Sequence, residues 1–256
     1  MAIDEHLMGL AESGEIGFAF RLYRWSPACV SFGRLQDPRR EADLRAIASA
    51  GVGLVRRPTG GRAVWHENEI TYSVVAGPGH PLAGKAVEES LAMTGEALLG
   101  PLRELGVPAS LSPPARRDPH ARTAGNPCFT SHGTSEIAVG NRKLIGSAQA
   151  RSRGVFLEHG SLLLRNDQLR LLPFLRIPAG ARDVLSSRLS EGTCCLAEVA
   201  PGLDTAELET LLIDSFALLG GGDLERVPPP DTAGGELAGR IRRREEEARA
   251  WLSTSL

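Results

Sequence analysis

A cysteine and a lysine are the residues of this chain best suited to covalent chemistry. Cys128 lies in a stretch rich in proline, arginine and glycine, residues 112–134, and Lys143 follows it by fifteen positions. A thiol attacks as the thiolate, and a free-thiol pKa of about 8.5 leaves little thiolate at neutral pH unless a positive group stabilises it. A lysine ammonium close to Cys128 would do so. The two residues are therefore a candidate nucleophile and its activating group, and a loop cysteine without a catalytic role is the alternative.

Lysine itself is a rare choice in this sequence. Lys85 and Lys143 are the only lysines among 29 basic residues, and all the others are arginine. Arginine cannot serve where a compact amine must gain and lose a proton, so each lysine is a candidate for a specific role. Lys85 stands in a polar stretch at the start of a predicted helix, and we interpret it as solvated surface.

The spacing of the four cysteines indicates neither a disulfide framework nor a CxxC metal site. Three of them lie in apolar stretches and are predicted to be small core residues: Cys29, Cys194 and Cys195. His120, Cys128 and His132 could be imagined as zinc ligands, but a fourth ligand is not evident and the spacing matches no standard zinc site. We therefore expect no metal.

Two further clusters could contact a ligand. Residues 56–66 leave a predicted strand and enter a loop where Gly60 and Gly61 could aim backbone N–H groups at an anion or a carbonyl oxygen. The alternative is a glycine turn flanked by surface arginines. The second cluster joins residues 146–149 to residues 159–161, where His159 is either a base or a hydrogen-bonded core residue.

The pattern of apolar residues, caps and turns predicts the elements that must position these residues. Gly140-Asn141 is a two-residue hairpin turn, and Asp204 with Glu207 forms a capping box. Helices are predicted over residues 3–12, 37–50, 84–105, 204–219 and 234–253, and strands over 18–25, 29–32, 52–57, 70–75, 135–139, 142–149, 155–157 and 161–164. Because strands and helices are intermixed, we expect an α+β fold with a mixed β-sheet flanked by helices.

Composition narrows the classes of function. The 256 residues have a net charge of −2, and the scattered basic residues argue against nucleic-acid binding. The longest apolar runs have four or five residues, too short for a membrane helix. The N-terminal sequence lacks the pattern of a secretion signal, so we expect a cytoplasmic protein. A catalytic core over residues 1–185 with a small, mostly helical extension over 186–256 is the predicted organisation.

Several motifs together resemble the lipoate–protein ligase and octanoyltransferase family. They are Arg-Arg-Pro-Thr-Gly-Gly-Arg-Ala-Val at 56–64, the run at 70–75, Cys128-Phe129, Gly-Asn-Arg-Lys-Leu-Ile-Gly-Ser-Ala-Gln at 140–149 and Leu-Glu-His-Gly-Ser-Leu-Leu-Leu at 157–164. The resemblance extends from residue 3 to about residue 185. It implies the biotin/lipoyl-attachment fold, which is related to the catalytic cores of class II aminoacyl-tRNA synthetases.

Within that family two chemistries compete. Ligases use ATP and Mg²⁺ to activate an acid, whereas transferases move octanoyl through a cysteine thioester and need no cofactor. The presence of Cys128, Arg62 in place of a third glycine and the short C-terminal extension favour a transferase. The resemblance then implies octanoyl-acyl carrier protein as donor and a lipoyl domain as acceptor, either glycine cleavage H protein or a 2-oxoacid dehydrogenase subunit. An ATP-dependent ligase, an amidotransferase between lipoyl-domain proteins and a non-catalytic lipoyl-binding module are the alternatives, and a monomer is expected.

The resemblance also implies roles for individual residues. Cys128 would form the acyl thioester, and Lys143 would lower its pKa and orient the acyl carbonyl. We expect a narrow apolar tunnel that ends at Lys143, and arginines 56, 57 and 62 at its rim would attract acidic partners unless Arg57 or Arg62 pairs internally with Glu67 or Glu69. The residues expected to bind substrate are Arg57, Thr59, Gly60, Gly61, Arg62, Ala63, Val64, Tyr72, Gly146, Ser147, Ala148 and His159.

Overall fold

A computed structural model describes residues 1–112, 136–178, 180–222, 224–228 and 230–253. The helices are α1 (Ala2–Ser13), α2 (Pro38–Glu41), α3 (Leu44–Ser49), α4 (Pro81–Gly84), α5 (Val87–Glu104), α6 (Ala181–Gly192), α7 (Leu196–Val199), α8 (Thr205–Gly220) and α9 (Gly235–Ser253), with a 3-10 helix at Gln168–Phe174. The strands are β1 (Phe18–Tyr23), β2 (Cys29–Phe32), β3 (Gly53–Arg56), β4 (Val64–His66), β5 (Glu69–Ala76), β6 (Ser110–Leu111), β7 (Ile137–Val139), β8 (Arg142–Ser152) and β9 (Val155–Leu163).

These strands form two sheets. The large sheet has the order β1-β5-β9-β8-β7-β6, and all of its neighbours are antiparallel. The small sheet has the order β3-β2-β4, in which β2 is parallel to β3 and antiparallel to β4. The expected α+β class is confirmed, and the mixed pairing is confined to the small sheet.

The large sheet is covered on both faces, which is why all eight residues of β5 are buried. On one face Ile70, Tyr72 and Val74 pack with the apolar residues of α5 and α8. On the other face Val75 packs with residues of α1. Because side chains alternate along a strand, neighbouring residues of β5 face two different environments.

The helices after residue 185 lie against the rest of the chain. Helix α8 packs on α5 and β1, and α9 packs on α1 and α3. The boundary predicted after residue 185 falls inside α6 (Ala181–Gly192). In the part of the chain with described coordinates, no helix combines the length and apolar character needed to span a bilayer.

The structure differs from the predicted elements at identifiable places. The helix predicted over 37–50 is interrupted, because Asp43 accepts a hydrogen bond from the Ala46 amide and starts a new helix there. The two runs predicted around His159 form one continuous strand, since the polar residues between them are buried and hydrogen-bonded. The short strands β4 and β6 were not predicted, because two or three residues carry no detectable alternation.

Candidate functional site

A small cavity lies where the small sheet meets the middle of β8 and β9. Its volume is about 30 Å³. Glycines and an alanine on the two central strands leave space there, since they have little or no side chain. The lining residues are Met1, Ser31, Arg57, Val64, His66, Thr71, Gly146, Ser147, Ala148, His159, Gly160 and Ser161. Six of them belong to the predicted substrate-binding set: Arg57, Val64, Gly146, Ser147, Ala148 and His159.

Arg57 organises the glycine loop from inside. Its guanidinium donates to the carbonyl of Gly60 from Nε (3.2 Å) and Nη2 (3.1 Å), and Nη2 also donates to the carbonyl of Arg62 (2.5 Å). Nη1 donates to Ser31 Oγ (2.9 Å) and to the Ser31 carbonyl (3.2 Å). The loop is thus folded around a charge that it solvates.

The prediction that Arg57 belongs to a surface rim was wrong. Its exposed fraction is 4%, because the loop carbonyls and Ser31 replace water around the guanidinium. Arg56 and Arg62 are partly exposed, and Arg56 pairs with Glu247 of α9 at 2.5 Å. Glu67, considered as an internal partner for Arg57 or Arg62, forms an ion pair with Arg170.

A serine, a histidine and a carboxylate form a buried chain at one wall of the cavity. Ser31 Oγ lies 2.6 Å from His66 Nε2, and His66 Nδ1 lies 2.8 Å from Glu69 Oε1. Glu69 Oε1 also accepts hydrogen bonds from Thr71 and Ser161. Because a carboxylate oxygen only accepts, Nδ1 donates to Glu69, and in the neutral imidazole Nε2 then accepts from Ser31.

These contacts were not predicted as a unit, although His66 ended the glycine motif. Trp25 stacks on the His66 ring with centroids 4.5 Å apart. The five hydrogen-bonding residues come from the four strands β2, β4, β5 and β9. These residues are far apart in sequence, so their proximity could not be predicted from spacing. The signal available in the sequence was the presence of polar residues inside apolar strands.

His159 occupies the second buried polar position of the cavity. Its Nε2 lies 2.6 Å from Thr59 Oγ1, and its Nδ1 lies 3.8 Å from Asp4 Oδ2, too far for a hydrogen bond. Burial lowers the pKa of His159 below its usual 6.5, although Asp4 acts in the opposite direction. The neutral imidazole is therefore the form present at neutral pH. His159 is thus a hydrogen-bonded core residue that also lines the cavity, and its role as a base stays a prediction.

Tyr72 lies on the opposite face of the large sheet, so the structure does not bring it to the cavity. Its hydroxyl donates to Glu158 Oε1 (2.7 Å) and lies 2.7 Å from Ser147 Oγ. Thr94 and Gln149 also donate to the Glu158 carboxyl, each at 2.9 Å. Burial raises the pKa of Glu158 to about 7, and these hydrogen bonds act against that rise.

Lys143 is buried within the β7–β8 pair, with an exposed fraction of 1%. Its ammonium donates to Glu136 Oε1, a partner the sequence did not suggest. Among the described residues Lys143 is not part of the cavity wall, so the expected tunnel ending there is not seen as a continuous space. Cys128, with His120 and His132, lies outside the described residues. The pairing of Cys128 with Lys143 therefore stays a prediction.

The other predicted residues have clear positions. Thr59 contacts His159, whereas Gly60, Gly61, Arg62 and Ala63 form the loop around Arg57, and none of these five lines the cavity. Gly61 has a φ of +91°, and a Cβ at Gly33 would lie 2.1 Å from its carbonyl oxygen, so the loop packs directly on Gly33.

The three described cysteines are buried, as predicted for core residues. Burial raises the pKa of Cys29 to about 12 and that of Cys194 to about 11, and it also raises the pKa of Cys195. Lys85 is exposed, as interpreted from the sequence. Within the described ranges, no group of three or more histidine, cysteine or acidic side chains is arranged to hold a metal ion.

Comparisons with known proteins agree with this architecture. Residues 1–217 match the family model of the lipoyl protein ligase A/B catalytic domain. The octanoyltransferase LipM of Kyrpidia tusciae is 40% identical over 229 residues, covering 88% of this chain and 84% of that protein. LipM of Bacillus subtilis is 37% identical over 183 residues, covering 70% and 66% of the two chains.

Solved structures show the same fold. A lipoate-protein ligase A bound with ATP superposes with a TM-score of 0.70 at 23% identity, covering 100% of this chain and 93% of the other. The bi-partite lipoate protein ligase of Thermoplasma acidophilum has a TM-score of 0.66 at 22% identity, covering 97% and 88%. With residues 1–217 matched and a relative 40% identical over most of both chains, the protein belongs to the lipoyl protein ligase A/B catalytic domain family and is an acyltransferase of that family.

Proposed function

We propose that the protein transfers an octanoyl group from octanoyl-acyl carrier protein, through a thioester on Cys128, to a lysine of a lipoyl domain. The observation that carries the proposal is the similarity to octanoyltransferases over most of the chain. The environment of the thiols adds support. Three of the four cysteines are buried with raised pKa values, which leaves Cys128 as the thiol for an acyl relay.

The reaction has two balanced steps. The Cys128 thiolate attacks the carrier thioester, a new C–S bond forms and the carrier C–S bond breaks, and the leaving carrier thiolate takes a proton from the Lys143 ammonium. The acceptor amine then attacks the acyl-cysteine, the C–N bond forms, and the Cys128 thiolate is released. The amine proton passes to Lys143 or to that thiolate. Thioester exchange is close to neutral in free energy and amide formation is downhill, so the proposed cycle consumes no nucleotide and needs no metal.

Binding of the acyl chain requires the cavity to widen. Its volume of about 30 Å³ is far below the roughly 300–1,000 Å³ of ordinary ligand pockets, so the cavity as it stands has no room for an eight-carbon chain. Burial of about seven carbons contributes on the order of 5 kcal/mol, at roughly 0.8 kcal/mol per CH₂. This free energy is available to offset the cost of moving the cavity walls apart.

A basic groove next to the cavity suits acidic protein partners. It encloses about 530 Å³, and its lining includes two glutamates and seven arginines. These basic residues are Arg34, Arg56, Arg57, Arg151, Arg153, Arg240 and Arg244. Arg57 lines both the basic groove and the cavity but is buried, so it is not part of the surface that a partner would contact. Acyl carrier proteins and lipoyl domains are generally acidic, so we propose that one of them docks there, with steering that weakens as salt is raised. The cytoplasmic location, the monomeric state and the identity of the acceptor protein stay predictions.

The decisive experiment follows the acyl group without ATP. The full chain is incubated with octanoyl-acyl carrier protein, and the octanoyl adduct is located by intact-protein and peptide mass spectrometry. An adduct on Cys128 is expected, and Cys128→Ala is expected to abolish both the adduct and transfer to a lipoyl domain. Cys195→Ala, which removes a buried thiol, is the matched control.

Other outcomes distinguish the alternatives. ATP-dependent transfer that survives Cys128→Ala would overturn the proposal in favour of a ligase. A parallel reaction supplies an octanoylated lipoyl domain as donor. An adduct that forms from this donor and not from the carrier protein would identify an amidotransferase instead.

A further inference from the structure

The reaction proposed above assigns no role to Glu136, the ion-pair partner of Lys143. Glu136 immediately precedes β7, and its Oε1 accepts the Lys143 ammonium across the β7–β8 pair. The exposed fraction of Glu136 is 8% and that of Lys143 is 1%. The adjacent ion pair, Arg142 with Glu198, is at the surface instead. Arg142 and Lys143 are consecutive residues of β8, yet the ion pair of the first is exposed and that of the second is buried.

Stability alone does not explain a buried ion pair at this place. Removing an ammonium and a carboxylate from water carries a large desolvation penalty for each ion, and a well-packed apolar pair is often as stable or more stable. The chain also had an alternative cation. In every other ion pair of a basic side chain with a carboxylate among the described residues, the base is arginine or histidine. A lysine at position 143 thus points to a need for an amine.

The Glu136 carboxylate has a second oxygen that takes no part in the ion pair with Lys143. Glu136 Oε2 is buried and has no hydrogen-bond partner among the described residues. An ionised oxygen without a partner carries a desolvation penalty, which is seldom retained where structure is the only requirement. It leaves one acceptor position beside the Lys143 ammonium, on the same side chain that fixes the ammonium in place.

We propose that Glu136 is the positioning residue for Lys143 in acyl transfer. Its Oε1 fixes where the amine points, and the overall neutral pair lets Lys143 hold a proton without water around it. The inference rests on the octanoyl transfer proposed above, because it assigns a reason for the placement of the amine that acts on Cys128. Without the carboxylate, the ammonium would lose the hydrogen bond that fixes its position.

The test compares Glu136→Gln and Glu136→Asp with the wild-type chain. Three quantities are measured: kcat and KM with octanoyl-acyl carrier protein, the single-turnover rate of octanoyl-enzyme formation, and the pH dependence of Cys128 alkylation by iodoacetamide. Glu136→Gln is expected to lower kcat by about 100-fold, the size of effect that a misplaced catalytic group produces, with KM within about threefold. The alkylation profile is expected to shift along the pH axis, and Glu136→Asp is expected to recover part of kcat.

The control is Glu198→Gln, which breaks the neighbouring exposed ion pair with Arg142 and is expected to change neither kcat nor the alkylation profile. A folded Glu136→Gln protein with kcat within about twofold of wild type, or with lowered kcat and an unchanged alkylation profile, would overturn the inference. If Glu136→Gln does not fold, Glu136→Asp decides, since it moves the carboxylate by about 1.5 Å and keeps the charge. Unchanged kcat and profile in that variant would also overturn it. Failure of the wild-type chain to form any adduct on Cys128 defeats the proposed function itself.

Discussion

At the scale of single residues, burial separates the thiols of this chain into inert and candidate reactive groups. Cys29 lies in β2, and Cys194 lies beside the backbone of Lys143. Among the residues with described coordinates, no cation stabilises either thiolate enough to offset its desolvation. A thiol with a pKa near 11 or 12 is almost wholly protonated at neutral pH. An apolar environment suits the uncharged thiol and disfavours the charged thiolate, so a buried cysteine is a poor nucleophile.

We therefore expect selective alkylation of the native protein. With iodoacetamide at pH 7.5, Cys128 should react at least 100-fold faster than Cys29 or Cys194, because the thiolate fraction falls about tenfold for each unit of pKa above the pH. Peptide mass spectrometry over a time course measures each rate. In denaturant all four cysteines should react alike, which serves as the control. Equal native rates would contradict the assignment of Cys128.

At the scale of elements, β9 carries two neighbouring residues into different environments. Glu158 faces α5 and is enclosed by Tyr72, Thr94 and Gln149, whereas His159 faces the cavity. Glu158 is 1% exposed, and in the part of the chain that the structure describes its hydrogen-bond partners include no cation. Burial raises the pKa of Glu158 from 4.5 to about 7. Between these two pH values the folded chain therefore retains a proton on Glu158 that the unfolded chain releases.

This proton predicts an unusual pH dependence of stability. A raised carboxyl pKa means that the free energy of unfolding falls as pH rises from about 4.5 to about 7, by about 3 kcal/mol in total. Glu158→Gln cannot ionise, so its stability should not fall over this window. Urea denaturation at pH 5 and pH 8 measures the difference.

The matched control is Glu104→Gln, at the exposed end of α5, which should keep the wild-type pH dependence. A Glu158→Gln protein whose stability falls with pH as steeply as wild type would show that Glu158 is already ionised when folded.

At the scale of the whole molecule, distant parts of the chain build the basic groove. Helix α1 supplies Glu5 and Glu12, the β8–β9 turn supplies Arg153, and α9 supplies Arg240 and Arg244. Arg244 pairs with Glu5 and Glu247, and Arg153 pairs with Glu12. The carboxylates neutralise part of the charge, and an excess of arginine remains. The C-terminal helix is thus part of the surface proposed to meet a partner.

Charge reversal in the basic groove should affect the protein partner and not a small thioester. Arg34 is exposed and lines the groove. Arg34→Glu is expected to raise KM for octanoyl-acyl carrier protein by about tenfold and to weaken its salt dependence, because steering by surface charge is screened by salt. KM for octanoyl-pantetheine should stay unchanged. Arg188→Glu, an exposed reversal on α6, is the control.

Steady-state kinetics over a range of salt concentrations give these values. Equal KM increases for Arg34→Glu and Arg188→Glu would mean that only net charge matters, and the groove would lose its proposed role.

The sequence by itself was enough for the local features of this protein. A cap at Asp204, the turn at Gly140-Asn141 and apolar periodicity predicted α8, the β7–β8 hairpin and the α+β class, because each of these signals acts within a few residues. The motifs also identified the family, and the apolar context of three cysteines predicted their burial. These features depend on local backbone preference and on side-chain polarity.

Only the tertiary structure decided which polar residues meet. Ser31, His66 and Glu69 form one chain because three strands place them on facing positions of two sheets. Arg57 is inside because the loop that solvates it closes around it, and Lys143 meets Glu136 across β7 and β8, where the register shifts between Ile137 and Ala138. Strand order, register and the burial of polar side chains arise from packing between distant segments, and no local pattern of residues carries that information.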